Sequence, residues 1–160
     1  MIAGYKKQMK RKNGRAVART VEIAILLILP ILFHYLFPIL TIIPKPYTYL
    51  GIVLMLLGFT LATWAAKTFR KAGTGYQLHG EASALTTAGP FRISRNPMYL
   101  AMVIWTAGLA VLLGSLTAFI FPVLLFAIAN FLIIPPEEKN LEKLFGEQYA
   151  SYRQNVRRWL

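Results

Sequence analysis

Cysteine is missing from all 160 residues, so disulfides, thiolate metal sites and a catalytic thiol are excluded together. Charge is scarce as well: 15% of residues are charged against 56% hydrophobic, far from the balance of an ordinary soluble domain. Acidic residues number six against 18 Lys and Arg, which gives a formal net charge of +12. The A-x-A exit of a cleavable signal peptide is also lacking. The basic arm of Lys6, Lys7, Lys10, Arg11, Lys12, Arg15 and Arg19 leads straight into a full-length apolar segment, which is therefore expected to stay. Finally, no strand pattern precedes Gly73-Thr74-Gly75, so this G-x-G reads as a turn whose amides could meet a ligand, without the context of a dinucleotide-binding half.

What the chain has instead is long stretches free of charge: from Ile23 up to Lys45, from Pro46 to Ala66, and over the 40 residues from Pro97 to Pro136. A helix needs about 20 apolar residues to cross a bilayer, so the first two stretches supply one span each. At about 1.5 Å per residue the third would overshoot a hydrocarbon core of about 30 Å twofold, and it must fold back. Gly114-Ser115 near its middle is the expected hairpin turn. The reading is an all-α polytopic membrane protein of about four transmembrane helices, near Val21–Leu40, Tyr49–Phe69, Met98–Leu113 and Leu116–Ile134. Length fits one domain, laid out as a basic arm (1–20), two spans (21–69), a loop (70–97), a helical hairpin (98–134) and an amphipathic tail (135–160).

The location of the cations decides what the high charge means. With the N-terminus inside, seven Lys and Arg precede the first span, five lie in 67–95 and five follow the fourth span, leaving only Lys45 outside. Such asymmetry is the positive-inside pattern, with both termini and the long loop cytoplasmic. It accounts for the charge without nucleic acid as a partner, and the basic arm can rest on anionic lipid headgroups. Within the spans, Pro30 and Pro38 predict a bent first helix. His34 reads better as a packed or interfacial residue than as a functional one, since a neutral imidazole is far cheaper in lipid than a charge. Gly51 and Gly58 could admit a close neighbouring helix. After the hairpin, Pro135-Pro136-Glu137-Glu138 reads as a helix start, and Leu141, Leu144, Phe145, Gln148, Tyr149, Tyr152, Val156 and Trp159 recur at helical spacing, with Gly146 kinking or dividing the segment.

Because the last two spans form a hairpin, Arg92, Arg95 and Asn96 on entry and Glu137 and Glu138 on exit converge on one membrane face. Taken singly, these residues read as positive-inside anchors and a helix cap. Together, under a loop and an amphipathic lid, they outline a pocket with one polar wall and one wall open to lipid. The run Gly89-Pro90-Phe91-Arg92-Ile93-Ser94-Arg95-Asn96-Pro97-Met98-Tyr99, followed by Glu137-Glu138 with Leu141, Phe145-Gly146-x-x-Tyr149-x-x-Tyr152 and a closing Val156-Arg157-Arg158-Trp159, resembles the isoprenylcysteine carboxyl methyltransferase and phospholipid methyltransferase group. The resemblance covers about the last 90 residues, from the Ala72-Gly73-Thr74 approach onward; the first two spans resemble only generic membrane helices.

The resemblance implies an integral-membrane enzyme that moves a methyl group from S-adenosylmethionine, leaving S-adenosylhomocysteine, to a lipid-like or amphiphilic acceptor. It implies a cofactor site at the cytoplasmic ends of the last two spans, the loop and the C-terminal segment. Members with Arg-Asn-Pro in place of the usual Arg-His-Pro are familiar among prokaryotes, which points to a prokaryotic plasma membrane; a role for that histidine does not carry over to Asn96. The residues expected to bind the cofactor are Gly89, Pro90, Arg95, Asn96, Tyr99, Glu137, Glu138 and Tyr149, and the catalytic ones Arg95, Tyr99 and Glu138. The residue types suit the chemistry: arginine for the cofactor's carboxylate, carboxylates for its ammonium or ribose diol, and a glutamate or His79 as base if the acceptor is an amine. Methyl transfer consumes charge, so positioning and exclusion of water should supply most of the acceleration. No metal is called for.

Other readings predict other features. Small-thiol methylation would share the cofactor. A sterol-reductase-like enzyme would need room for NADPH that the small loop does not offer. A non-catalytic subunit or a transporter would bury polar residues along a pathway, and the last two spans offer only Trp105, Thr106, Thr117 and Asn130. An oligomer is compatible with spans this short but follows from nothing in the sequence.

Overall fold

A computed structural model describes residues 28–37, 40–72 and 84–160. The basic arm, the start of the first span, Pro38, Gly73-Thr74-Gly75 and His79 lie outside the described residues. Among those described, every regular element is helical: α1 (28–36), α2 (Leu50–Lys71), α3 (Pro97–Leu113), α4 (Leu116–Ile128), α5 (Ile134–Phe145) and α6 (Glu147–Asn155), with short 3-10 turns at Tyr47–Tyr49 and Gly89–Arg92.

Two helical runs are long and apolar enough to cross a membrane, Tyr47–Lys71 and Leu116–Phe145; Pro97–Leu113 is apolar but shorter. Large apolar side chains line their outer faces without cover, among them Val53, Leu56, Phe59, Val123, Phe131 and Leu132. That much contiguous apolar surface is not left bare by soluble monomers, and it suits a protein whose solvent is lipid.

The centre of the molecule is the α2–α3 pair, which runs antiparallel: Gly51 meets Gly108 and Leu112, and Gly58 meets Ala101 and Trp105. A Cβ on Gly58 would lie 2.8 Å from the Ala101 carbonyl oxygen, and one on Gly108 2.7 Å from both the Gly51 carbonyl oxygen and the Met55 amide nitrogen. The seam is therefore backbone on backbone, the close approach that small residues allow when no hydrophobic force drives helices together in lipid. Gly51 and Gly58 act as the sequence reading expected, and Gly108 completes the set from the other helix.

α3 and α4 form the expected hairpin. Gly114 turns the chain with φ of +69° and donates its N–H to Ala110 O; a left-handed residue at this position is glycine's usual task. Its carbonyl accepts from the amides of Ile42 and Ile43 at 2.8 and 3.2 Å, and the Leu116 amide donates to Leu40 O at 2.9 Å. The link between α1 and α2 is thereby clamped across the hairpin. His34 Nδ1 lies 2.9 Å from Ser115 Oγ, which lies 3.2 Å from Thr117 Oγ1. This is the packed role expected of His34.

At the other end the structure departs from a separate tail helix. α4 runs through a π-helical turn at Ala129–Ile133 directly into α5, so Pro135 and Pro136 sit in the first turn of α5 but inside one continuous helical rod. Prolines lack the N–H for two rungs of an α ladder, and the wider turn just before them absorbs that loss. The rod has 30 residues, about 45 Å at 1.5 Å per residue, longer than a bilayer core of about 30 Å. Its last turns, carrying Glu137 and Glu138, therefore project beyond the apolar zone. Gly146, with φ of +51°, then divides the tail into α5 and α6.

Candidate functional site

The polar residues that the hairpin should bring together do meet, around one buried carboxylate. Glu138 lies on the inward face of α5 and Arg95 on the turn before α3. Arg95 Nη2 is 3.2 Å from Glu138 Oε1, and both side chains are more than nine-tenths buried. A second arginine joins them: Arg158 Nη2 is 2.6 Å from Glu138 Oε2, and its Nε donates to Oε1 at 3.4 Å. Both carboxylate oxygens are engaged. By contrast Arg95 Nε and Nη1 are buried without a hydrogen-bond partner. Unpaired guanidinium donors away from water are costly, and acceptors brought to them would relieve that cost.

Glu137, the preceding residue, faces another neighbour. Its Oε1 accepts from the Tyr99 hydroxyl at 2.9 Å, and it is only partly buried. Tyr99 stands in the first turn of α3 and Glu137 in the first turn of α5, so this pair ties the two helices at the same end of the hairpin.

Arg158 is held in place by two elements. Its Nη1 donates to Asn130 Oδ1 at 3.3 Å, an oxygen that also accepts from Trp159 Nε1 at 3.0 Å. Asn130 and Glu138 are eight residues apart, which on a regular α-helix would rotate them about 80° from one another. The intervening π turn takes up one residue and returns them to one face. The extended segment from Val156 is fastened to the turn before α3: the Arg95 amide donates to Arg157 O at 3.0 Å, and Ser94 Oγ and Asn96 Nδ2 both donate to Arg158 O at 3.2 Å. Asn96 thus spends its side-chain amide on the closing strap and does not cap α3.

The remaining predicted residues form the frame. Gly89, with φ of +57°, lays the 3-10 turn on α2, where a Cβ would sit 2.8 Å from Thr68 Oγ1. Pro90 is fully buried in that turn, and Phe91 packs edge-on against Phe69 with centroids 4.6 Å apart. The Tyr152 hydroxyl donates to Phe91 O at 2.7 Å, which docks α6 onto the same turn. Tyr149 is buried beside the arginine–glutamate cluster. Burial, and secondarily the charge of Glu138, push its hydroxyl up to about 12, against the pull of Arg95, Arg153 and Arg158. Burial raises Tyr152 further still, with Tyr149 adding to it. Both are neutral donors at physiological pH. Beside α6 lies a shallow, open depression lined by Leu85, Thr87, Glu147, Gln148 and Ser151, none of which belongs to the arginine–glutamate cluster. The sequence reading missed Arg158, Asn130 and Tyr152 as members of this constellation. Asn130 carried a signal, being a lone amide late in an apolar span.

A profile for the family described as phospholipid methyltransferase matches residues 46–148. The chain belongs to that family. The family match begins before α2, which by motif alone looks generic, and ends just before Tyr149. Among relatives, a rice protein (Oryza sativa subsp. indica) named probable protein-S-isoprenylcysteine O-methyltransferase is 31% identical over 112 residues, 68% of this chain and 58% of that protein. Protein-S-isoprenylcysteine O-methyltransferase B of Arabidopsis thaliana is 37% identical over 75 residues, 45% of this chain and 36% of that protein. A Haemophilus influenzae protein without an assigned activity is 35% identical over 63 residues, 39% of this chain and all of that protein. The chain spans about half the length of the rice protein and its kind.

Proposed function

We propose that the chain is an S-adenosylmethionine-dependent methyltransferase that modifies a lipid-like or amphiphilic acceptor at the cytoplasmic face of a membrane, with four spans and both termini inside. The carrying observation is the pair of buried, unpartnered donors on Arg95. Unpaired guanidinium donors are matched by a carboxylate, such as that of the cofactor's amino-acid end. The family and the names of its rice and Arabidopsis relatives support the reaction class. S-adenosylmethionine supplies a methyl group on a sulfonium, already activated for in-line displacement.

In this reading Arg95 binds the carboxylate. Glu137, partly exposed and oriented by Tyr99, meets the ammonium or the ribose hydroxyls, and it is the glutamate that can take a proton if the acceptor is an amine; a carboxylate acceptor needs no base. Glu138 has both oxygens engaged by arginines, so it orients Arg95 and does not itself act as a base. Gly89, Pro90, Asn96 and Tyr149 shape the walls. Phe131 and Leu132, each 70% exposed on the π turn next to Asn130, give the acceptor's apolar tail a lipid-side approach. Isothermal calorimetry of the purified chain in nanodiscs with S-adenosylhomocysteine tests the cofactor: micromolar binding is expected, and no heat in either nanodiscs or detergent overturns the proposal. Transfer of label from S-adenosylmethionine to an isoprenylcysteine acid or to a phosphatidylethanolamine then identifies the acceptor class.

A further inference from the structure

Glu138 is shared unequally. Arg158 grips it at two points, Nη2 to Oε2 at 2.6 Å and Nε to Oε1 at 3.4 Å, whereas Arg95 reaches it at one, Nη2 to Oε1 at 3.2 Å. Left alone in a buried site, an arginine and a carboxylate settle into a two-point fork. If Arg158 were gone, Arg95 would be free to turn a full edge onto Glu138 and consume one of the two donors that now lack a partner. Arg158 is suited to prevent this. Its own Nη1 is tied to Asn130, and its carbonyl accepts from Ser94 and Asn96, so it cannot drift from the carboxylate. Its side chain is 31% exposed against 9% for Arg95, so it carries the ion pair at lower desolvation cost than a fully buried partner would.

We propose that Arg158 is a positioning residue: by holding Glu138 in a two-point ion pair it keeps Arg95 from closing on that carboxylate, and so keeps the donors of Arg95 open to the carboxylate of the ligand. The inference rests on the reading of Arg95 given above. It makes Glu138 inhibitory in the absence of Arg158, which a purely structural ion pair would not do.

The test is binding of S-adenosylhomocysteine and of 5′-methylthioadenosine, which lacks the amino-acid carboxylate, to the full chain in nanodiscs. Wild type, Arg158→Met, Arg158→Lys, and each of these two combined with Glu138→Gln are compared. Arg158→Met should weaken S-adenosylhomocysteine by about tenfold or more, the scale of one lost charge-assisted hydrogen bond, and leave 5′-methylthioadenosine within about threefold. Adding Glu138→Gln to it should restore S-adenosylhomocysteine binding most of the way to wild type. Where Arg158→Met does not yield folded protein by thermal melt and gel filtration, Arg158→Lys, a point charge without the fork, gives the same contrast at smaller amplitude. A double variant that binds no better than its Arg158 single variant, or an equal loss of both ligands, overturns the inference. A wild-type chain that binds 5′-methylthioadenosine but not S-adenosylhomocysteine overturns instead the role given to Arg95.

Discussion

The two ends of the α3–α4–α5 unit are closed by similar devices and arrive at opposite chemistry. At the end of the Gly114 turn a strand-like link, 40–43, crosses the hairpin and is fixed by backbone hydrogen bonds to Gly114 and Leu116. The side chains beside it, His34, Ser115 and Thr117, are hydrogen-bonded to one another or to Phe37 O. At the end of the Glu137–Glu138 turn the extended segment 156–159 also crosses, and it too is fixed by backbone acceptors, Arg157 O and Arg158 O. There, however, three charges share one buried cluster and two guanidinium donors are left over. One clasp has its polar groups satisfied; the other leaves two buried donors on Arg95 unpaired, the feature on which the proposed ligand site rests.

The largest effect is expected at the unpaired donors of Arg95 themselves. Arg95→Ala removes the free donors while Arg158 still covers Glu138, so methyl transfer should fall by about 10²–10³-fold, the scale of losing a preorganised electrostatic contact, with the fold retained by thermal melt. A melt unchanged alongside unchanged activity would mean that the surplus donors serve nothing. The second test removes the scaffold common to both ends. Gly108→Val forces side-chain atoms onto the Gly51 carbonyl and the Met55 amide, and should cost about 1–3 kcal/mol of stability through overpacking, read as a lower melting temperature in detergent. Activity per folded molecule should change little. A third, Tyr99→Phe, deletes the hydroxyl that orients Glu137. A lost hydrogen bond of about 1–1.5 kcal/mol predicts roughly tenfold slower turnover with little effect on melting.

Much of the end-to-end contrast could be read from residue order. The hairpin turn follows from length, since 40 charge-free residues cannot be one span, and the turn brings Arg95 and Glu138 to one face whatever the details. The glycine seam was visible on one helix because Gly51 and Gly58 are seven apart and so share a face. Gly108 was not paired with them because sequence does not fix which helix lies opposite. The π turn was hidden for a sharper reason: Asn130 and Glu138 are in register only after one residue is absorbed, and regular periodicity puts them on different faces. Arg158 was hidden by its neighbourhood, since a basic residue in a cytoplasmic tail reads as a positive-inside anchor until something shows that it reaches back to the helix rod. Long-range geometry, not residue chemistry, was what the sequence withheld.

A pH titration probes the charged end through Tyr149. Tyr149 is neutral in the fold and its hydroxyl is raised from an ordinary 10.0 to about 12. The unfolded chain therefore releases this proton first as pH rises, and the stability contributed by the buried neutral ring is present in full below about pH 10 and lost between about 10 and 12. The informative quantity is the difference between wild type and Tyr149→Phe, in which every other titrating group cancels: the variant should lose less stability across that interval, and equal slopes would show that the ring is not held in the cluster as described.

The smallest effect is expected where the comparison says nothing functional resides. His34→Ala breaks one hydrogen bond, to Ser115 Oγ at 2.9 Å, and interhelical hydrogen bonds in membrane proteins average only about 0.6 kcal/mol. Ser115 keeps Thr117 as a partner, and the backbone clamp on Gly114 does not involve the imidazole, so melting should drop by a degree or two at most. S-adenosylhomocysteine affinity should be unchanged, because the perturbed contact is separated from Arg95 by nearly the length of α3, about 26 Å for its 17 residues. If affinity fell, the two clasps would be coupled through the rod, and the Gly114 end would have to be counted as part of the proposed site.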